Sequence, residues 1–404
     1  MRISTQTFYE QNRAAMGAQQ GSLLRVQQQM SAGTKILALS DDPQGTAKAV
    51  SISQSMALNT QYSNGRDQAA QTLSFEDASL GTVTTVLQNI RSRLIEAGNG
   101  AMTDADRSSI ADTLQSSLDQ LQGLANTDDG NGNFLFAGFK SGSAPFVRQS
   151  DGSIQYTGDQ GERMVQVDVS RQMAGADNGR SVFLSVQGGA GYVASAPETN
   201  AGSGIFGPPS VVDSSNPDFG KDFVVSFQSA TTYTVTTRTS PPVTSSPASY
   251  TSGAPISFAG VQLSISGTPT AGDTFNVSTA KNAGTDMFGT IRDAISALQT
   301  STGNGGASAQ ARLANALSTG NRKMANAYDN VLAIRASVGS RLQELDTLKA
   351  SGDSRSVSDK SRLSDVQDLD YATAISEFYQ RQTALQASQQ TFVKIQKIAL
   401  FNYL

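Results

Sequence analysis

Residues 378–404 read FYQRQTALQASQQTFVKIQKIALFNYL, and this C-terminal stretch decides the fold. Phe378, Leu385 and Phe392 recur at the seven-residue spacing of a helix that packs along another helix. The end of the stretch adds apolar side chains that point in several directions around a helix: Ile395, Ile398, Leu400, Phe401 and Leu404. A helix that is apolar all round is buried on every side, so we expect neighbouring subunits to cover this end.

The N-terminal block carries a matching stripe at the same spacing: Tyr9, Met16, Leu23, Met30 and Leu37. This stripe predicts a first helix that stops near Leu39. Asp42 is a natural N-cap and Pro43 a natural first helical residue, so a second long helix is predicted to start there. Glycines at 98–100 end that helix, and a third helix is predicted to begin after Thr103.

The C-terminal block mirrors the first block. A short amphipathic helix is predicted near residues 286–299, and the next helix has apolar side chains at sevens: Leu317, Met324, Val331, Val338 and Leu345. The polar segment 349–360 is expected to break this helix before the final one begins. Arg381 and Ser388 occupy positions that an ideal two-stranded coiled coil fills with apolar residues, which favours a multi-helix bundle.

Between the helical blocks, residues 133–284 alternate polar and apolar side chains and predict an antiparallel β domain. It divides into two lobes near 190–218, and the proline-rich segment 240–255 is expected to be an exposed loop. The fold class is therefore α+β: helical segments 1–132 and 285–404 lie side by side as a coiled-coil bundle, and the β domain is inserted between them. Two unrelated helical domains joined by a β domain are the alternative.

The composition excludes several classes of site. The chain has no histidine and no cysteine, so Ser–His–Asp or Cys–His nucleophiles and the commonest zinc sites are impossible. Its 30 basic and 34 acidic residues give a net charge of −4, which offers no basic surface for nucleic acid. No apolar run reaches the roughly 18 residues of a membrane span. We expect no catalytic residue, no metal and no cofactor, and no enzyme activity.

Paired carboxylates are the remaining candidates for chemistry. Asp104 and Asp106 are interpreted as charges at a helix start, and Asp368 and Asp370 as a solvated helix face. The N-terminus lacks the apolar region of a cleaved signal peptide. A chain without cysteine suits a protein that is exported unfolded into an oxidising space.

Three stretches resemble the bacterial flagellin and hook-associated superfamily. They are MRISTQTFYEQN at 1–12, SDDPQGTAKAV at 40–50 and LANTDDGNGNFLFAGFKSGSAPF at 124–146, and the quoted C-terminal stretch resembles it as well. The resemblance implies a tubular assembly with terminal helices inside the wall and the β domain outside. It implies a structural subunit that joins hook-associated protein 1 at the hook to the flagellin filament.

The same resemblance implies partners and a location. Copies of the chain form a ring, and hook-associated protein 1 and flagellin are the neighbours. A cytosolic export chaperone is expected to cover the C-terminal helix before the chain leaves by the flagellar type III route, without a cleaved signal peptide. The protein is then extracellular, and its two ends are expected to become fully ordered only on assembly.

Two other functions stay open on the sequence. A flagellin subunit has the same helical ends but forms long filaments alone. A helical-stalk adhesin uses the β domain for binding, and the exposed 239–255 loop motivates that alternative.

Overall fold

The computed structural model describes residues 5–302 and 306–401, with side chains from Thr7 to Lys394 apart from that of Phe8. Its helices are α1 (Thr5–Ala32), α2 (Pro43–Ala97), α3 (Asp104–Ala125), α4 (Gly179–Phe183), α5 (Met287–Gln299), α6 (Gly306–Gln367) and α7 (Tyr371–Phe401). Its contacts divide it into two compact units, 1–64 with 348–404, here called the terminal unit, and 65–347, the central unit.

The strands all lie in the central unit. They are β1 (Phe146–Arg148), β2 (Ile154–Tyr156), β3 (Met164–Asp168), β4 (Arg171–Ala174), β5 (Val193–Ser195), β6 (Ile205–Phe206), β7 (Ser210–Val211), β8 (Phe223–Ser229), β9 (Thr232–Thr237), β10 (Ala248–Ser249), β11 (Pro255–Phe258), β12 (Val261–Ser266) and β13 (Thr274–Ser278). β1–β2 and β3–β4 are separate antiparallel hairpins. The predicted α+β class, with terminal helices and an antiparallel β part between them, is confirmed.

The remaining strands form a sandwich of two antiparallel sheets. One sheet has the order β10-β9-β8-β13-β5, and the other has β11-β12-β6 with β7 beside β12. Side chains from both sheets share one core, in which the rings of Phe206 and Phe275 are 6.4 Å apart. Alternating burial along β12 follows from the two faces of a strand, one toward this core and one outward.

The long helices of the central unit pack through their heptads. The predicted apolar positions of α6 are all buried: Leu317, Met324, Val331, Val338 and Leu345. α2 contributes Leu73, Leu80, Leu87 and Leu94, also seven residues apart and buried. Thr103 and Asp106 form a reciprocal capping box at the start of α3, as the sequence predicted.

The first helix ends earlier than predicted. α1 stops at Ala32 rather than near Leu39, because Gly33 takes a left-handed conformation with φ of +71° and its N–H donates to the Gln29 carbonyl at 2.8 Å. The predicted start of α2 is confirmed, since Asp42 Oδ1 accepts from the Gly45 N–H at 2.9 Å.

The predicted break at 349–360 is wrong, because α6 runs through it without interruption. One glycine costs a helix only about 1 kcal/mol relative to alanine, which tertiary contacts offset. Asn59 Nδ2 of α2 donates to the Gly352 carbonyl at 2.8 Å, and Ser55 Oγ donates to Asp359 Oδ2 at 2.9 Å. These contacts join residues that are 304 and 293 positions apart in sequence, so a local sequence pattern cannot predict them.

Candidate assembly interface

α1 and α7 pack against each other as an antiparallel pair in the terminal unit. Near one end of the pair, the rings of Tyr9 and Phe392 meet edge to face with centroids 5.9 Å apart. Near the other end, Thr34 forms a backbone bridge with Asp368. The two predicted stripes are therefore brought together within a single chain.

Most of the predicted interface side chains are partly buried along this pair: Tyr9, Met16, Leu23, Met30, Phe378, Leu385 and Phe392. Leu37 follows α1 in the loop before α2 and is exposed. The side chains of Ile395, Ile398, Leu400 and Phe401, and the whole of Leu404, lie outside the described residues. Packing in one chain thus leaves the stripe with surface still open to solvent.

Hydrogen bonds join the two chain segments where α1 ends and α7 begins. The Lys35 N–H donates to the Gln367 carbonyl at 2.9 Å, and the Leu369 N–H donates to the Gly33 carbonyl at 3.0 Å. The Tyr371 hydroxyl donates to the Met30 carbonyl at 3.2 Å. Segments more than 300 residues apart in sequence form one backbone-paired clasp at the end of α1 and the start of α7.

Two carboxylates accept hydrogen bonds from backbone N–H groups beside this clasp. Asp370 accepts hydrogen bonds from the Thr373 hydroxyl and from the Thr373 and Ala372 N–H groups, and these bonds lower the pKa of its carboxyl. Asp41 accepts from the Leu37 and Ala38 N–H groups and pairs with a guanidinium of α1. Asp370 therefore does more than solvate a helix face, because it satisfies the free N–H groups at the start of α7.

The terminal unit has very little core. Among its described residues, the apolar side chains that are fully buried are Val26, Ala49 and Ala374. Its exposed larger apolar side chains include six on the helices α1, α2 and α7: Leu24, Val50, Leu58, Ile375, Tyr379 and Val393. Isolated exposed apolar residues are ordinary, but this many on helices with almost no core leave an extensive apolar surface in contact with solvent. We call these six the exposed apolar set.

A shallow groove on α7 includes one member of this set, Tyr379. It has a volume of about 480 Å³ and is lined by Tyr379, Gln380, Thr383, Ala384 and Ala387. Small side chains between larger ones form the kind of hole into which a neighbouring helix inserts a side chain. The heptad pattern alone did not reveal it, because that pattern marks only the face toward α1.

Other kinds of site were sought in the described part of the chain. No group of carboxylates there is arranged to hold a metal ion. Within residues 5–302 and 306–401, none of the helices combines the length and apolar character needed to cross a membrane. In the central unit, a cavity of about 610 Å³ between α5 and α6 is lined mainly by small side chains, with Asp293, Arg312 and Lys323 among them.

Two family models match the N-terminal and C-terminal parts of the chain. Residues 3–141 match the bacterial flagellin N-terminal helical region, and residues 322–404 match the bacterial flagellin C-terminal helical region. Flagellar hook-associated protein 3 of Salmonella typhimurium is 32% identical over 401 residues, covering 99% of each chain. The chain belongs to the hook-associated protein 3 family. The Escherichia coli protein of this name is 30% identical over the same length.

Solved structures of the hook-associated protein 3 family have the same fold. The Xanthomonas campestris FlgL crystal structure superposes with a TM-score of 0.69 at 29% identity, covering 78% of this chain and 99% of that one. By contrast, the flagellin of Clostridium tyrobutyricum matches only 35% of the chain, at 28% identity. This hook-associated protein 3 family member is a structural protein of the flagellar junction.

Proposed function

We propose that this chain joins hook-associated protein 1 at the end of the hook to the first flagellin subunits of the filament. The observation that carries the proposal is the similarity to hook-associated protein 3 over 99% of both chains, including the β part. Flagellins match about a third of the chain or less. A filament subunit is therefore the weaker alternative.

The proposed assembly interface has two components. One is the predicted stripe, from Tyr9 to Leu37 on the N-terminal side and from Phe378 to Leu404 on the C-terminal side. The other is the exposed apolar set, which the stripe prediction did not include. Burial of apolar area contributes about 25 cal/mol per Å², and the terminal unit leaves much of its own area unburied. Neighbouring copies, hook-associated protein 1 and flagellin supply the missing surface.

The proposal extends to the route and the rest of the chain. An export chaperone binds the C-terminal helix in the cytosol, and the chain leaves through the flagellar type III channel without a cleaved signal peptide. The protein acts extracellularly as a structural subunit without enzymatic activity. Segments 1–132 and 285–404 form the inner helical domain, and segment 133–284 faces outward.

Deletion and complementation test the junction role. A strain without the gene should keep its hooks, secrete flagellin into the medium and lack filaments. The wild-type chain should restore filaments, and Tyr379→Asp should not, because it places a charge in the α7 groove. Val212→Asp is the matched control, since Val212 is 59% exposed in the sandwich and Tyr379 is 63% exposed. Full filaments with Tyr379→Asp, or long filaments from the purified chain alone, would contradict the proposal.

A further inference from the structure

Each sheet of the sandwich has two edge strands, and one edge strand of each sheet lies beside α6. β5 is the last strand of the first sheet, and β6 is the last strand of the second sheet. An edge strand presents free N–H and C=O groups on which a strand of another chain can pair. Both edges lie beside the first half of α6.

Asn315 of α6 occupies the place of a neighbouring strand at β6. Its Nδ2 donates to the Gly204 carbonyl at 2.9 Å, and its Oδ1 accepts from the Phe206 N–H at 3.1 Å. In a strand, the C=O of one residue and the N–H two residues later face the same side. The N–H and C=O of one residue in an adjacent parallel strand would make this same pair of bonds, and the Asn315 carboxamide, with its residue only 3% exposed, replaces them.

The next turns of α6 do the same at β5. Thr319 Oγ1 lies 2.9 Å from the Ala194 carbonyl and equally close to the Asn315 carbonyl of its own helix, and Arg322 Nε donates to the Tyr192 carbonyl at 3.1 Å. Residues two apart direct their carbonyls to the same edge, so both bonds lie on the side away from β13. A Cβ at Gly191 would lie 1.7 Å from Arg322 Nη2, so glycine there lets the arginine approach.

These three side chains share one face of α6, because they are spaced by four and three residues. The same line of side chains continues to Asn330, whose Nδ2 donates to the Ser181 and Val182 carbonyls at 2.9 and 3.2 Å. Those carbonyls belong to α4 rather than to a strand. One helix face therefore contacts two strand edges and then a helix, and only the edge contacts replace a missing strand.

We propose that Asn315, Thr319 and Arg322 form an edge-covering face that occupies the β5 and β6 edges and prevents these two strands from pairing, edge to edge, with a second copy of this chain. Copies brought close together then meet through surfaces other than these two strand edges. The inference depends only on contacts inside the central unit and stands whether or not the junction role is correct.

The test compares two buried asparagines of one helix in the full-length chain. Asn315→Leu keeps the branched shape of the side chain but removes both bonds at β6, and Asn330→Leu removes the bonds to α4. Hydrogen exchange should accelerate at the Phe206 amide about tenfold or more in Asn315→Leu, because a lost buried hydrogen bond shifts local opening by that order. Asn330→Leu should leave the Phe206 amide unchanged.

Self-association is the second measurement. Asn315→Leu should form concentration-dependent oligomers that bind thioflavin T, and Asn330→Leu should remain at the wild-type oligomeric state. Thr319→Val removes only a hydroxyl at β5, so it tests the same idea if Asn315→Leu fails to fold. Thr319→Val should accelerate exchange in the β5 segment. Unchanged exchange with no oligomers in Asn315→Leu and Thr319→Val, or equal oligomer formation by Asn330→Leu, overturns the inference.

Discussion

Leu24→Ala separates the stability of the chain from its assembly. Leu24 is 57% exposed on α1, and alanine favours a helix at least as well, so the unfolding free energy should change by less than about 0.5 kcal/mol. Full burial of a leucine contributes about 1.5–3 kcal/mol, so covering the exposed 57% contributes about 0.9–1.7 kcal/mol per subunit. Incorporation should fall about four- to eighteenfold. Leu87→Ala, at a fully buried position of α2, should instead cost about 2–5 kcal/mol of stability.

Competition inside one strain gives the incorporation ratio. Wild-type chain and Leu24→Ala are expressed at equal levels with distinguishable tags, and mass spectrometry counts both in purified flagella and in the secreted fraction. The unfolding free energy of each purified chain is measured in urea by circular dichroism. Equal incorporation of the two chains would refute the argument, as would a stability loss for Leu24→Ala as large as that for Leu87→Ala.

Three further predictions concern single residues. Burial, and then the Asp177 charge, raise the pKa of the Glu76 carboxyl well above its ordinary value. Protonated Glu76 therefore stabilises the folded chain in acid, and this stabilisation is lost as pH rises through the folded-state pKa. Glu76→Gln should therefore raise the melting temperature at neutral pH. It should have no stabilising effect below about pH 4, where the glutamate is protonated in the unfolded chain as well. Gly33→Ala should cost about 1–2 kcal/mol in urea unfolding, because φ is +71° and the new Cβ would lie 3.2 Å from the Tyr371 hydroxyl. Thr103→Ala should cost about 0.5–2 kcal/mol through the lost capping box, and Thr103→Ser should retain most of that stability.

The sequence predicts those parts of the fold that local chemistry determines. Asp42 with Pro43, and Thr103 with Asp106, start helices because a side chain within three residues satisfies the first N–H groups. The heptads of α6 predict its buried face because 3.6 residues per turn place them on one side. The segments of alternating polar and apolar residues predict most of the strands, because successive side chains of a strand point to opposite faces.

Long-range contacts determine the parts that local patterns miss. The continuity of α6 through 349–360 depends on Ser55 and Asn59 of α2. The edge contacts of Asn315 join residues more than 100 positions apart, and a lone asparagine in a helix gives no sign of them. In the assembly surface, the sequence predicts the stripe but not Leu24 or Tyr379, since exposure depends on which faces the chain itself covers.

The central claim is that other subunits cover the exposed apolar surface of α1 and α7. The chain has no cysteine, so Leu24→Cys introduces a single thiol that a maleimide probe can report. The account predicts rapid labelling in the free chain and strong protection in intact flagella, whereas Val212→Cys in the sandwich labels in both. Equal labelling of Leu24→Cys in the free chain and in intact flagella would contradict the claim.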